Sequence, residues 1–138
     1  MRTAKPVTAT AIIADDHPRM RDVIGAVLSD VAGLTVVGMA VDGEDAVRLA
    51  LKLTPNLVVM DVAMPVLDGV GATRQILSSL PDTAVVAISN HDDQRLVAAM
   101  FAAGALAYVL KGDALEQLGP AVRKALRGEK YVGRSLQR

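Results

Sequence analysis

The chain has 138 residues, 51% of them hydrophobic, and its 15 basic and 15 acidic residues cancel. That length allows one domain, and the balanced charge excludes a globally basic nucleic-acid or anionic-membrane surface. The absence of cysteine excludes a disulfide framework, a thiolate metal site and a cysteine nucleophile.

Residues 1–8 carry no periodic apolar pattern and are expected to form a disordered tail. Arg2 and Lys5 are not followed by a long apolar run, so no signal peptide is read there. Ala11-Ile12-Ile13-Ala14 is a strand-like run ending at Asp15-Asp16. Pro18 suits the first turn of a helix, and Met20, Val23, Ile24, Val27, Leu28 and Val31 follow at helical spacing before Gly33. Leu34 to Val41 reads as a second strand, Asp42-Gly43 as a turn, and Ala46, Val47, Ala50 and Leu51 as a helical stripe stopping before Pro55. Leu57-Val58-Val59-Met60 is apolar throughout, as suits a strand covered on both faces, and it ends at Asp61. A loop to Gly69 leads into a helix carrying Val70, Thr73, Ile76, Leu77 and Leu80. Ala84 to Ile88 is a fourth strand ending at Ser89, and 92–103 is an Ala-rich helix closed by Gly104. Leu106 to Leu110 is a fifth strand ending at Lys111. A last helix lies between Asp113 and Arg127, where Pro120 predicts a kink or a start near Gly119. No stretch reaches the ~20 apolar residues of a membrane span, so a cytoplasmic protein without membrane attachment is expected.

Five alternating strands and helices imply an α/β fold with a parallel sheet covered on both faces. In such sheets ligands bind outside the carboxyl ends of the strands. Asp15, Asp16, Asp61, Ser89 and Lys111 all stand at those ends. Taken singly, each has a plainer explanation as a cap, a turn former or a solvated charge. Together they are harder to dismiss, because like charges 4 Å apart repel by about 4 kcal/mol at an effective dielectric near 20. Three carboxylates on one rim need cations. Lys111 supplies one, and a hard divalent ion with oxygen ligands is the natural second. Mg²⁺ with carboxylates and a phosphate oxygen points to phosphoryl chemistry, in which an Asp carboxylate can be the nucleophile.

Five stretches carry a family resemblance: Ala14-Asp15-Asp16-His17-Pro18, 59–65 around Asp61, Leu67-Asp68-Gly69, Ile88-Ser89-Asn90, and 104–111 ending at Lys111. In this order and spacing they resemble the receiver domain of two-component response regulators. The Asp-Asp-His-Pro opening, the stretch 89–93 and Gly128-Glu129-Lys130-Tyr131 resemble the NarL/LuxR (FixJ) subfamily. The resemblance implies a (βα)5 flavodoxin-like doubly wound sheet of five strands in the order 2-1-3-4-5. It places the receiver at 9–128 and the start of a linker at 129–138, leading toward a helix-turn-helix output domain outside this sequence. It further implies Asp61 as phosphoacceptor, phosphorylated by a sensor histidine kinase. Asp16, Asp61 and the backbone carbonyl of Ala63 would bind Mg²⁺, with Mn²⁺ as a substitute and Asp15 acting through water. Lys111 and Ser89 would hold the phosphoryl group. Ser89 and Tyr108 would form the switch pair, Tyr108 turning inward as Ser89 moves toward the phosphoryl oxygens. Two residues depart from or flank the pattern: Ala63, with no polar side chain to orient water, bears on the phosphoryl lifetime, and His91 is either a second modulator of it or a solvated loop histidine. Many receivers have Pro after the lysine; here Gly112 follows, so their cis peptide is not implied.

On this reading the protein is a signalling switch rather than an enzyme, with only its own phosphorylation and dephosphorylation as chemistry. Its output would be transcription, with DNA contacted only through the missing domain. Two alternatives are a stand-alone receiver acting through protein contacts and an aspartate-nucleophile phosphatase. The second lacks a substrate-binding insertion. The basic residues Arg123, Lys124, Arg127, Lys130, Arg134 and Arg138 fit a helix C-terminus better than a nucleic-acid site. Leu115, Leu118, Val122 and Leu126 form a stripe expected to pack on the sheet. Subfamily resemblance also suggests a homodimer through the first and last helices.

Overall fold

The computed structural model describes residues 8–137. Its strands are β1 (Ala9–Ala14), β2 (Leu34–Ala40), β3 (Leu57–Asp61), β4 (Ala84–Ser89), β5 (Ala107–Leu110) and β6 (Tyr131–Val132). The helices are α1 (Pro18–Ser29), α2 (Gly43–Leu53), α3 (Gly69–Ser79), α4 (Gln94–Ala102) and α5 (Ala114–Leu126), with short 3₁₀ turns at Lys111–Asp113 and Arg134–Leu136. All strand pairs are parallel, in the order β2-β1-β3-β4-β5-β6. The fold is the expected doubly wound α/β type, but with six strands instead of five.

The period-two geometry of the strands divides the core into two layers. Ala11, Ile13, Leu57, Val59, Val86, Ile88 and Val109 face one way and pack with Ile24 and Leu28 of α1 and Leu118, Ala121 and Val122 of α5. Ile12, Ala14, Val58, Met60, Val85, Ala87 and Tyr108 face the other way, against Ala46 and Ala50 of α2, Ala72 and Ile76 of α3, and Met100 of α4. Central strands buried on both faces must be apolar along their length, which explains why polar residues mark their ends. Asp42, Asp68 and Asp93 cap α2, α3 and α4, each accepting a hydrogen bond from a backbone N–H of the first turn.

Two expectations change. Of the two outcomes expected at Pro120, a start near Gly119 does not occur; α5 runs from Ala114 to Leu126 with Pro120 inside it. Proline leaves the carbonyl four residues back without its helical donor. Here that residue is Glu116, on the exposed side of the helix, where solvent can serve the carbonyl. The strand at 131–132 is the second change. β5 would otherwise end the sheet with unpaired carbonyls. Instead Tyr131 N–H donates to Leu106 O at 2.9 Å and Gly133 N–H to Tyr108 O at 2.9 Å. Buried Leu136 and the Gln117 side chain, which accepts from Arg134 N–H at 2.8 Å, hold the segment down. Residues 129–137, read from sequence as the start of a linker, therefore include a docked sixth strand. Of the expected tail at 1–8, all but Thr8 lies outside the described residues.

In α5, Leu118 and Val122 are fully buried and Leu126 half-buried, as expected, but Leu115 points outward at 79% exposure. No cis peptide occurs among the described residues, so Lys111–Gly112 is trans. Among the described residues no helix is long and apolar enough to cross a membrane.

Candidate functional site

The carboxyl ends of β1, β3, β4 and β5 converge on one rim of the sheet. β1 delivers Asp15, fully buried at 0% exposure, and after it the half-buried Asp16. β3 ends on Asp61, 2% exposed, and β4 on fully buried Ser89. Lys111 follows β5, with its side chain 8% exposed. Its ammonium lies 2.9 Å from Asp15 Oδ2 and 3.1 Å from Asp61 Oδ2. Asp15, Asp16, Asp61, Ser89 and Lys111 are thus brought together as their strand-end positions predict.

Two glycines allow the loops to close over this rim. A Cβ on Gly69 would fall 2.3 Å from Asp61 O, and one on Gly43 would fall 1.9 Å from Leu67 O. Only a residue without a side chain lets α2 and the β3–α3 loop approach so closely. Ala63 N–H then reaches Asp61 Oδ1 at 3.3 Å.

The charges do not balance inside the pocket. Burial, and next the charge of Asp15, push the Asp61 carboxyl up from 3.8 to about 6, against the pull of Lys111 and the Ala63 N–H. Burial works against the Lys111 charge too, yet contacts with Asp15 and Asp61 outweigh it and hold the ammonium above its usual range. Asp15 Oδ2, beside the ammonium but in no aligned hydrogen bond, and Asp16 Oδ1 are buried without hydrogen-bond partners. Buried acceptors of this kind ordinarily find a partner. Among the described residues, Asp15, Asp16, His17 and Asp61 form the one group whose metal-binding atoms lie within 4.8 Å of one another. Oxygen-rich, net negative and with orphaned acceptors, the pocket fits a hard divalent cation.

Ser89 and Tyr108 meet on the β4–α4 loop rather than on each other alone. Ser89 Oγ accepts from His91 N–H at 2.9 Å, and Tyr108 hydroxyl donates to His91 O at 2.9 Å. Both polar groups of one peptide residue are thereby clamped. Tyr108 is already fully inward at 0% exposure, so the inward turn expected on phosphorylation starts from a ring that is in place. Burial pushes its phenol up, while a hydrogen bond with Ser89 pulls the other way. The exposed His91 side chain contributes less than its backbone.

The sequence reading passed over two residues. His17 Nδ1 lies 3.2 Å from Asp15 Oδ1 and 3.1 Å from Asp16 Oδ1. Arg21 Nη1 donates to Asp15 O at 2.7 Å. Their only signals were adjacency to the Asp pair and a spacing of one helical turn. The basic C-terminal residues are partly tied inward: Lys124 sits 5.9 Å over the Tyr131 ring, Lys130 6.0 Å over Phe101, and Arg127 pairs with Glu129 at 2.8 Å.

Comparison with known proteins agrees with this geometry. Residues 11–123 match the family described as response regulator receiver domain. The chain is 40% identical over 121 residues to the response regulator GacA of Pseudomonas aeruginosa, covering 88% of this chain and 56% of that protein. It is 35% identical over 132 residues to the transcriptional regulatory protein LiaR of Bacillus subtilis, covering 92% and 63%. The chain therefore spans little more than half the length of these curated relatives. A two-component response regulator of the LuxR family from Aurantimonas sp. SI85-9A1 superposes with a TM-score of 0.88 at 30% identity, over 94% of this chain and 92% of that one. The receiver domain of the putative response regulator NarL from Mycobacterium tuberculosis gives 0.84 at 30% identity, over 90% and 100%. With the acidic rim, its lysine and the doubly wound sheet, these matches establish that the chain belongs to the response regulator receiver domain family, in its NarL/LuxR branch.

Proposed function

We propose that this domain is a phosphorylation switch in which Asp61 accepts a phosphoryl group from a phosphohistidine of a sensor histidine kinase, in a Mg²⁺-dependent reaction. The observation that carries the reading is the placement of Lys111 Nζ, 3.1 Å from Asp61 and 2.9 Å from Asp15, in a pocket that stays net negative. An Asp61 oxygen attacks phosphorus, the phosphorus–nitrogen bond breaks, and the imidazole leaves with the electron pair. Asp16, Asp61 and the Ala63 carbonyl are the groups that would hold Mg²⁺, with Asp15 acting through water. The ion, when bound, neutralises charge developing on the phosphoryl oxygens. Lys111, 3.1 Å from Asp61, would add a second positive charge for those oxygens and limits the rise that burial imposes on the Asp61 carboxyl. A 270 Å³ cleft lined by His17, Met20, Val23, Asn90 and Lys111 opens beside the site and offers the phosphodonor an approach.

The switch follows from the clamp on His91. Ser89 Oγ accepts from His91 N–H at 2.9 Å and keeps its own O–H to donate to a phosphoryl oxygen, so movement of Ser89 toward the phosphoryl group pulls on His91. Tyr108 keeps hold of the His91 carbonyl, so the loop into α4 pivots about that bond instead of waiting for a ring rotation. Ala63, with no polar side chain, leaves attacking water unoriented, and His91 stands beside the same face. Ala63 is therefore the residue we expect to govern the phosphoryl lifetime, with His91 a secondary candidate. Exposed Leu115 lies beside a 330 Å³ groove between α1 and α5, lined by Val27, Val31, Gly119 and Pro120, which supports homodimerisation through these helices. The output we propose is transcription, through a DNA-binding domain.

The test is incubation with a small-molecule phosphodonor and Mg²⁺, read by intact mass. One phosphoryl group should appear on the wild type and none on Asp61→Asn or in chelator. A phosphorylated Asp61→Asn protein would refute the assignment.

A further inference from the structure

We infer that His17 is a metal donor in this chain, and that its imidazole shifts the acidic pocket's preference from Mg²⁺ toward borderline divalent ions such as Mn²⁺ and Co²⁺. The inference rests on the reading above that this pocket holds a divalent cation.

The distances are those of one coordination shell. Octahedral bonds of about 2.1–2.2 Å place neighbouring donors about 3.0 Å apart and opposite donors about 4.3 Å apart. His17 Nδ1 lies 3.1 Å from Asp16 Oδ1, the spacing of neighbouring donors, and 3.2 Å from Asp15 Oδ1, which would meet the ion through water. Including Asp61, the widest separation in the group is 4.8 Å, which a small side-chain rotation closes. Asp15 is fully buried, and Asp15 Oδ2 and Asp16 Oδ1 both lack hydrogen-bond partners. The pocket therefore holds more carboxylate oxygens than its one buried cation, Lys111, can serve with aligned hydrogen bonds.

Helix capping does not account for where the ring sits. His17 occupies the N-cap position of α1, where Ser, Thr, Asp or Asn would bond the first-turn amides, and its side chain makes no such bond. The ring is turned instead toward the carboxylates. Its own backbone N–H donates to Asp15 Oδ1 at 2.9 Å, and Pro18 fixes the following backbone, so the ring is tethered close to the pair. A plain hydrogen bond from the ring to the two carboxylates would share this geometry, but the two arrangements differ in metal selectivity. Mg²⁺ prefers oxygen and retains water, so an added imidazole changes its affinity little. Later first-row ions take imidazole readily, and affinity for a mixed nitrogen and oxygen site rises from Mn²⁺ to Co²⁺.

The experiment is calorimetric titration of the phosphate-free chain with Mg²⁺, Mn²⁺ and Co²⁺ separately, for wild type, His17→Ala, His17→Gln and His91→Ala. Electron spin-echo spectroscopy of bound Mn²⁺ reads directly coordinated ¹⁴N. In both His17 variants Co²⁺ affinity should fall about tenfold or more, Mn²⁺ less, and Mg²⁺ by less than about twofold. The ¹⁴N modulation should be present in wild type and His91→Ala and absent in both His17 variants. The His17 side chain is 63% exposed, so an unchanged melting temperature should show that the variants fold. Equal changes for Mg²⁺ and Co²⁺, or no ¹⁴N modulation in wild type, overturn the His17 assignment while leaving the metal pocket standing. Failure of wild type to bind any of the three ions overturns both.

Discussion

Replacing Asp61 with asparagine should stabilise the metal-free domain, although it removes the proposed phosphoacceptor. The folded carboxyl titrates at about 6 instead of 3.8, because burial and Asp15 oppose its charge. Between those two values the folded state keeps a proton that the unfolded state has shed. The stabilisation this carries is complete below pH 3.8 and is lost as pH rises through about 6. Above pH 7 the shift corresponds to about 3 kcal/mol of unfavourable ionisation. Screening at the open mouth, where Asp16 and Ala63 meet solvent, reduces the realised figure to about 1–2 kcal/mol. Asparagine keeps an acceptor for Ala63 N–H, and Lys111 keeps Asp15 at 2.9 Å, so no buried charge is orphaned. For a chain of this size the gain is about 3–7 °C in melting temperature. Thermal and urea unfolding in chelator at pH 7.5 measure it, and the gap between variant and wild type should close on acidification through pH 6. Mg²⁺ should also narrow the gap by stabilising the wild type more. A variant less stable than wild type at pH 7.5 in chelator, or a gap that widens on acidification, would refute the electrostatic account.

Tyr108→Phe removes the donor to the His91 carbonyl and should destabilise by about 1 kcal/mol. Amide exchange in the β4–α4 loop should quicken with little change in β1. Gln117→Leu removes the acceptor for Arg134 N–H, so exchange at Tyr131 to Leu136 should rise while α5 stays protected. Unchanged protection there would mean that β6 holds without the clamp. Val66, exposed and β-branched, sits at φ 71 in a tight turn closed by Leu67 N–H on Pro65 O at 2.8 Å. Val66→Gly should therefore raise stability by about 0.5–1 kcal/mol after glycine's greater unfolded freedom is subtracted. Leu115→Glu should keep the phosphorylated domain monomeric in sedimentation under conditions where the wild type dimerises. Dimerisation of the variant would move the interface away from α5.

Much of the fold is written in local pattern. Ala11 to Ala14, Leu57 to Met60 and Ala84 to Ile88 are apolar at every position because both faces of each strand are covered, and helices of ordinary period separate them. The polar residues that interrupt the runs had to fall at strand ends. In a parallel sheet all those ends lie on one edge, so Asp15, Asp61, Ser89 and Lys111 could be grouped from chain order alone. Other features had no such signal. Two residues of β6 are too short for periodicity to register, and their place depends on unpaired carbonyls of β5, distant in the chain. Leu115 lies one turn before Leu118 in the same stripe, yet it faces out because the buried face of α5 runs through Ala114, Leu118, Ala121, Val122 and Ala125 and leaves Leu115 to one side.

What the sequence by itself determined is the alternation of elements and the inventory of groups at the rim, because secondary-structure period and strand burial are local consequences of residue type. Only the tertiary structure decided how those groups share protons and partners. It set Asp61 near pH 6, seated Tyr108 inward on the His91 carbonyl and turned His17 toward two carboxylates. Desolvation, close charge and side-chain rotamer depend on what the chain brings alongside from tens of residues away, and no local pattern encodes them.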